Sequence, residues 1–221
     1  MIKKHYEFSV WLRITHWVRA LAIVILTFTG FYLGYPFIAP ALNMGEPTNF
    51  FNALMRSWHQ IFGFLLICVT IGKSYLFILD KESKIERVSV KDFLSLKIWI
   101  NQIKYYLFIG KHPHLKGVYN PLQFVAYVGV YAALFVICLT GVILYVHVYH
   151  EGLGGLLYPL MRPIEVLLGG LAMVREIHHI AMWFFIIFLP IHIYLAVFNS
   201  IFGEEGSMDS IISGYKWEKE D

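Results

Sequence analysis

Four histidines pose the chemical question. His16, His59, His178 and His192 stand within or at the edges of long apolar stretches, where an ionisable side chain is expensive and calls for a functional explanation. His178 and His192 are fourteen residues apart. On a helix this is about 21 Å of axial rise, with the two side chains within about 40° of each other. One helical face therefore carries two imidazoles, one near each end of a membrane span. Imidazole is the usual ligand for a haem held between the facing helices of a bundle. Two such centres, one near each membrane surface, make an electron path across the bilayer. With two histidines on each iron no coordination position is open, which favours electron transfer over oxygen binding or substrate chemistry.

The neighbours of these histidines fit the same chemistry. Arg13, Arg56 and Arg175 each stand three residues before one of them, in R-I-T-H, R-S-W-H and R-E-I-H. Position i−3 lies on the same helix face, one turn nearer the membrane surface. An arginine there suits the carboxylates of a macrocycle through charge-assisted, fork-like bonds. Gly30, Gly63, Gly129 and Gly141 are small residues where a flat ring could approach a helix, although glycine in membrane helices also serves helix packing. His179 is the alternative to His178 in the H-H pair. It points about 60° away from His192, so His178 fits the shared face better.

The elements that position these side chains follow from composition. Of 221 residues, 58% are hydrophobic and 15% charged, against about 25% charged in an ordinary soluble domain. Mean hydropathy is +0.61. A membrane helix needs about 20 mostly apolar residues, and four stretches qualify: 17–38, 57–79, 121–148 and 177–202. The fold class expected is an all-α membrane protein, a four-helix transmembrane bundle forming a single domain over residues 1–221. Backbone groups in lipid must bond internally, so each span is read as a helix.

Lysine and arginine then set direction. The N-terminal segment, the connection between spans two and three, and the C-terminal tail hold fourteen of the 18 basic residues, whereas the other two connections hold only Arg56, Arg162 and Arg175. Both termini are thus expected in the cytoplasm. This topology places His16 at the depth of His192 and His59 at the depth of His178, so every candidate ligand finds a partner.

Between spans two and three, residues 92–109 mix apolar, aromatic and lysine residues at helical spacing, the pattern of an interfacial amphipathic helix. The outer connection, about 150–176, is rich in glycine, contains Pro159 and Pro163, and is expected to lie along the membrane surface where a partner could dock. Cys68 and Cys138 sit in apolar runs without a CxxC, as buried structural thiols do. The net charge of +3 carries no basic patch suited to nucleic acid. Asn120 and Gln123 are polar groups three apart at the cytoplasmic start of span three; capping and ligand contact both account for such a pair. The competing class is a haem-free transporter or other helical bundle, which predicts no redox-active visible absorption.

Two segments carry a family resemblance. R-I-T-H-W-V with T-G further on (Arg13, His16, Trp17, Thr29, Gly30), and R-E-I-H-H-I-A-M-W with F-L-P-I-H (Arg175, His178, His179, Trp183, Phe188, His192), resemble the two signatures of the cytochrome b subunits of membrane-bound nickel–iron hydrogenases. That family is related to the cytochrome b subunits of formate dehydrogenases, which leaves a formate-oxidising donor as an alternative. The resemblance implies two haem b groups, one held by His59 and His178 near the outer surface and one by His16 and His192 near the inner. It implies a bacterial inner-membrane location, a periplasmic nickel–iron catalytic subunit, and an iron–sulfur subunit with a membrane anchor helix. It also implies menaquinone or ubiquinone as electron acceptor beside the inner haem, with Asn120 and Gln123 in the matching stretch K-G-V-Y-N-P-L-Q. Glu176 departs from the pattern, standing where a small residue is usual.

Overall fold

The computed structural model describes residues 2–38, 50–79, 84–106, 109, 115–117, 119–202 and 207–219. A short strand β1 (Ile2–Tyr6) leads into α1 (Val10–Gly34), followed by α2 (Phe50–Leu79). Two short helices come next, α3 (Lys84–Phe93) and α4 (Leu96–Tyr106). The second half holds α5 (Pro121–Val146), α6 (Gly152–Leu167), α7 (Leu171–Phe202), α8 (Ser207–Ser213) and β2 (Tyr215–Lys219). Four helices are long and apolar enough to cross a membrane, Val10–Gly34, Phe50–Leu79, Pro121–Val146 and Leu171–Val197. Spans one, two and four begin earlier than hydropathy alone suggests. The extra turns carry polar residues such as Arg13, Asn52 and Arg175, which lower a hydropathy average without interrupting a helix.

The spans pack as two pairs, α1 on α2 and α5 on α7, with sparser contact between the pairs. Each pair contributes to a central apolar layer: Ala22 from α1, Leu66 from α2, Leu134 from α5 and Phe185 from α7, all buried. Outward-facing Leu21, Val24, Phe28, Ile61, Phe135 and Ile187 are exposed, as expected where lipid takes the place of a protein neighbour. A second cluster of Ile143, Val146, Met161 and Val174 seats α6 against the ends of α5 and α7. Glycines with φ of 95° and 90°, Gly169 and Gly170, turn the chain from α6 into α7, a conformation a side chain disfavours.

Among the described residues the connection between α2 and α5 holds two helices: α4 falls within the 92–109 stretch expected to be helical, and α3 precedes it, ending at Phe93. The break falls at Leu94 and Ser95, where the Ser95 carbonyl accepts from Ile98 and Trp99 to begin a new helix. The α3 helix anchors the approach to α5. Its Asp92 carboxylate accepts the backbone N–H groups of Lys116 and Gly117 at 2.7 and 2.8 Å, and Ser89 Oγ accepts that of Tyr119. Gly117 is required by this contact, since a Cβ there would lie 2.5 Å from Ser89 N and 2.6 Å from Ser89 Cα.

The two ends of the chain meet. β1 pairs antiparallel with β2, from Ile2 opposite Lys219 to Tyr6 opposite Tyr215. Alternation of hydrophobicity does not announce these five-residue strands. Their pairing places both termini on the same side of the bundle, as an even number of spans requires.

Candidate functional site

The four histidines meet in two facing pairs. His59 of α2 and His178 of α7 have ring centroids 6.3 Å apart. His16 of α1 and His192 of α7 have ring centroids 6.2 Å apart. An imidazole nitrogen binds a first-row metal at about 2 Å. With about 1.1 Å more from nitrogen to ring centre, two trans imidazoles on one metal lie about 6 Å apart. Both pairs match that separation. Among the described residues no group of three or more His, Cys, Asp or Glu side chains is arranged to hold a metal ion. A metal with two protein ligands needs further donors, and a porphyrin brings four.

The outer pair opens into a cavity of about 520 Å³, lined in part by Arg56, His59, Gly63, Arg175, His178 and Met182. This is within the usual range for a bound cofactor. The lining is largely apolar, as a macrocycle needs. Arg56 and Arg175 are exposed on it, and no hydrogen bond or ion pair engages either guanidinium among the described residues. They are therefore available to carboxylates at the cavity edge. His179 is exposed, whereas His178 faces His59.

Thr-Gly occurs on both sides of this cavity. Thr29 Oγ1 lies 2.9 Å from His59 Nδ1, and Thr140 Oγ1 lies 2.9 Å from His178 Nδ1. The next residue in each case approaches the same ring. A Cβ on Gly30 would lie 3.2 Å from His59 Cε1, and one on Gly141 would lie 3.5 Å from His178 Cε1. The sequence marks Thr29 only as part of a family signature and gives no sign of Thr140, because an isolated threonine in an apolar helix commonly bonds its own backbone.

The inner pair has a different setting. His192 is stacked on Phe188 and His16 lies edge-on to Trp17. Among the described residues no hydrogen bond reaches either ring. The charges of Arg19 and Lys73 act on His16. Arg19 donates to Tyr131 Oη at 2.9 Å and lies over its ring, and Lys73 is 3% exposed on α2. Neither cation was among the residues selected from sequence, although a charged residue inside a span is itself a functional signal. Arg13 is tied to a distant part of the chain. It donates to the Ile212 carbonyl at 2.6 Å, and Trp17 Nε1 donates to that of Ile211, so both bind α8 to the start of α1.

Asn120 and Gln123 form the capping box of α5. Asn120 Oδ1 accepts Gln123 N–H at 2.8 Å, and Gln123 Oε1 accepts Asn120 N–H at 3.0 Å. Pro121 at the first helical position completes the start signal.

Outside the spans, Glu165 of α6 is buried and fixed from two sides. Arg162 donates to Oε1 at 2.6 Å and His147, at the end of α5, to Oε2 at 2.5 Å. The Arg162 hydrogen bond, helped by His147, holds this carboxyl below the usual carboxylate range against the opposing effect of desolvation.

Four long apolar helices carrying two facing imidazole pairs define a multi-pass helical membrane protein with the frame of a b-type cytochrome. The prokaryotic cytochrome b561 pattern matches residues 7–214, and the chain belongs to that family. Membership implies haem b and electron transport as the business of the fold. The chain is 30% identical, over 97% of its length and 88% of the relative's, to a probable Ni/Fe-hydrogenase B-type cytochrome subunit of Cupriavidus necator. It is 28% identical over 98% of its length and 90% of the relative's to a protein of the same description from Azotobacter vinelandii. A probable Ni/Fe-hydrogenase 1 B-type cytochrome subunit of Escherichia coli K12 is 26% identical, with 99% and 93% covered.

Proposed function

We infer that this chain is the di-haem membrane subunit of a respiratory nickel–iron hydrogenase. The reading rests on one observation above all: two facing imidazole pairs of near-equal separation, both using α7, one on each side of the apolar layer of Ala22, Leu66, Leu134 and Phe185. His59 and His178 would hold an outer haem b, with Arg56 and Arg175 binding its carboxylates. His16 and His192 would hold an inner one. When bound, the two haems supply one-electron transfer between an iron–sulfur partner outside and menaquinone or ubiquinone inside.

The protein's own contribution is positional. α7 fixes the spacing of the two centres, the central apolar layer keeps water from the path between them, and Arg19 and Lys73 place positive charge at the inner end. Their charge favours the arrival of an electron there. Moving one charge against the membrane potential takes about 2.3 kcal/mol per 100 mV, which the redox drop from hydrogen to quinone would supply.

The orientation that the basic residues favour puts both termini, α3 and α4 in or at the cytoplasm, and α6 outside. The α3–α4 pair would lie at the inner membrane surface. The exposed apolar residues Leu156 and Leu160 of α6 would meet the iron–sulfur subunit with its anchor helix, and through it the catalytic subunit. Asn120 and Gln123, which cap α5, would also contact the quinone. The location would be the bacterial inner membrane.

The test is a reduced-minus-oxidised spectrum with haem quantitation on the wild type and on His16→Ala, His59→Ala, His178→Ala and His192→Ala. Two haems per chain are expected in the wild type, with loss of one component in each variant. Retention of both haems in His178→Ala or His192→Ala overturns the ligand assignment.

A further inference from the structure

We propose that Thr29 and Thr140 are the positioning residues of the outer centre, gripping the Nδ1 atoms of His59 and His178 so that both rings offer Nε2 to the same iron. The proposal rests on the reading of those two histidines as haem ligands and adds how their orientation and donor strength are set.

Each threonine has one proton to donate and lone pairs to accept with. Thr29 Oγ1 lies 2.8 Å from the Ile25 carbonyl oxygen, four residues back in its own helix, and Thr140 Oγ1 lies 2.7 Å from that of Val136. A second carbonyl lies near each hydroxyl, Leu26 at 3.3 Å from Thr29 and Ile137 at 3.1 Å from Thr140; carbonyls can only accept, so these contacts consume the hydroxyl protons. The remaining contact, 2.9 Å to the imidazole in each case, then requires the ring to donate. Nδ1 carries the proton, and Nε2 is left with its lone pair.

The pattern is doubled across the cavity. Thr29-Gly30 is on α1 and acts on a ring from α2; Thr140-Gly141 is on α5 and acts on a ring from α7. In both, the hydroxyl takes Nδ1 while the following glycine leaves room for Cε1 of the same imidazole. Both threonines are buried, at 2% and 1% exposure, so water does not compete for the bond. Each helix pair thus carries its own ligand together with the group that orients it.

The two centres differ in this respect. Second-sphere acceptors on a ligating histidine fix its tautomer and ring plane and make it a stronger donor. Stronger donation favours the oxidised metal. The outer rings have such acceptors, whereas among the described residues no hydrogen bond reaches the inner rings. The threonines therefore bias the outer centre toward the lower potential, the direction needed for electrons to pass inward.

The experiment uses the full chain, purified from membranes with its haems, and compares Thr29→Val and Thr140→Val with Thr29→Ser and Thr140→Ser. Haem content and the midpoint potentials of both components are measured by spectropotentiometry. The outer component is identified as the one missing in His59→Ala. Valine removes the hydroxyl while keeping the shape, and should raise the outer midpoint or weaken outer haem retention, on the order of tenfold or more. The inner midpoint should not move, and the serine variants should match wild type. Unchanged outer potentials and retention in both valine variants overturn the proposal, as does an equal shift of both components. Loss of the outer haem in serine and valine variants alike also overturns it, by pointing to the methyl group and packing. Retention of both haems in His59→Ala would instead remove the ligand reading itself.

Discussion

The unequal clearance of two glycines over the outer rings gives the sharpest test of the site's geometry. In Gly30→Ala, the new methyl group would lie 3.2 Å from His59 Cε1, 3.7 Å from Nδ1 and 3.8 Å from Met182 Sδ. Carbon atoms prefer about 3.5–4.0 Å, so the ring must retreat by a few tenths of an ångström. It is held at 2.9 Å by Thr29 from the same helix, and retreat stretches that bond. Overpacking of this kind costs about 1–3 kcal/mol, which corresponds to a loss of about 5- to 150-fold in affinity for a group bound by that ring. In Gly141→Ala the nearest atom, His178 Cε1, is at 3.5 Å, an ordinary contact. Replacing a helical glycine by alanine favours the helix by up to about 1 kcal/mol, so that variant should be neutral or slightly more stable. The assay is the haem-to-protein ratio and thermal midpoint of the purified chain. Gly30→Ala should lose more outer haem than Gly141→Ala. Equal effects in the two variants, or a larger one in Gly141→Ala, would refute the reasoning.

Other expectations follow from the same coordinates. Gly117→Ala drives a methyl group into the Ser89 backbone and should detach the 116–119 segment from α3, which limited proteolysis between α4 and α5 will register as faster cleavage. Because Arg162 and His147 hold the Glu165 carboxyl below its ordinary range, their contribution is present above the unfolded-state carboxylate value and is lost as pH falls through the folded one. The thermal midpoint should drop in that acidic window, and Glu165→Gln should flatten the dependence. Asn120→Ala removes the N-cap of α5 and should cost about 1 kcal/mol of stability. Asn120→Asp keeps a capping oxygen, so it should retain both haems while slowing quinone reduction; unchanged turnover would remove Asn120 from the quinone site.

Much of this architecture can be read from sequence because two strong physical signals coincide. Lipid forces long apolar helices, and the cost of an imidazole in lipid makes His16, His59, His178 and His192 conspicuous. Charge asymmetry ranks them by depth, and the facing pairs are the ones that depth suggests. The remaining features are matters of tertiary contact. Nothing in the stretch around Arg13 indicates that its guanidinium reaches Ile212, about two hundred residues later in the chain. Nothing in Thr29 or Thr140 distinguishes a threonine that bonds only its own helix from one that also holds a neighbour's imidazole. The sequence pattern places the start of α4 a few residues early because Asp92 and Phe93 continue the amphipathic rhythm, while Ser95 begins the hydrogen-bonded turn. Asn120 and Gln123 show the opposite problem: a capping box and a ligand contact use the same residue types at the same spacing.

The clasp between β1 and β2 has a consequence for biogenesis. Ile2–Tyr6 is made before the four spans and Tyr215–Lys219 after them, so the earlier strand waits through the synthesis of the whole bundle before its mate exists. Arg13 and Trp17 wait equally long for the carbonyls of α8. Closure of this seam therefore follows synthesis of all four spans, and a product cut short before α8 leaves β1, Arg13 and Trp17 without their partners.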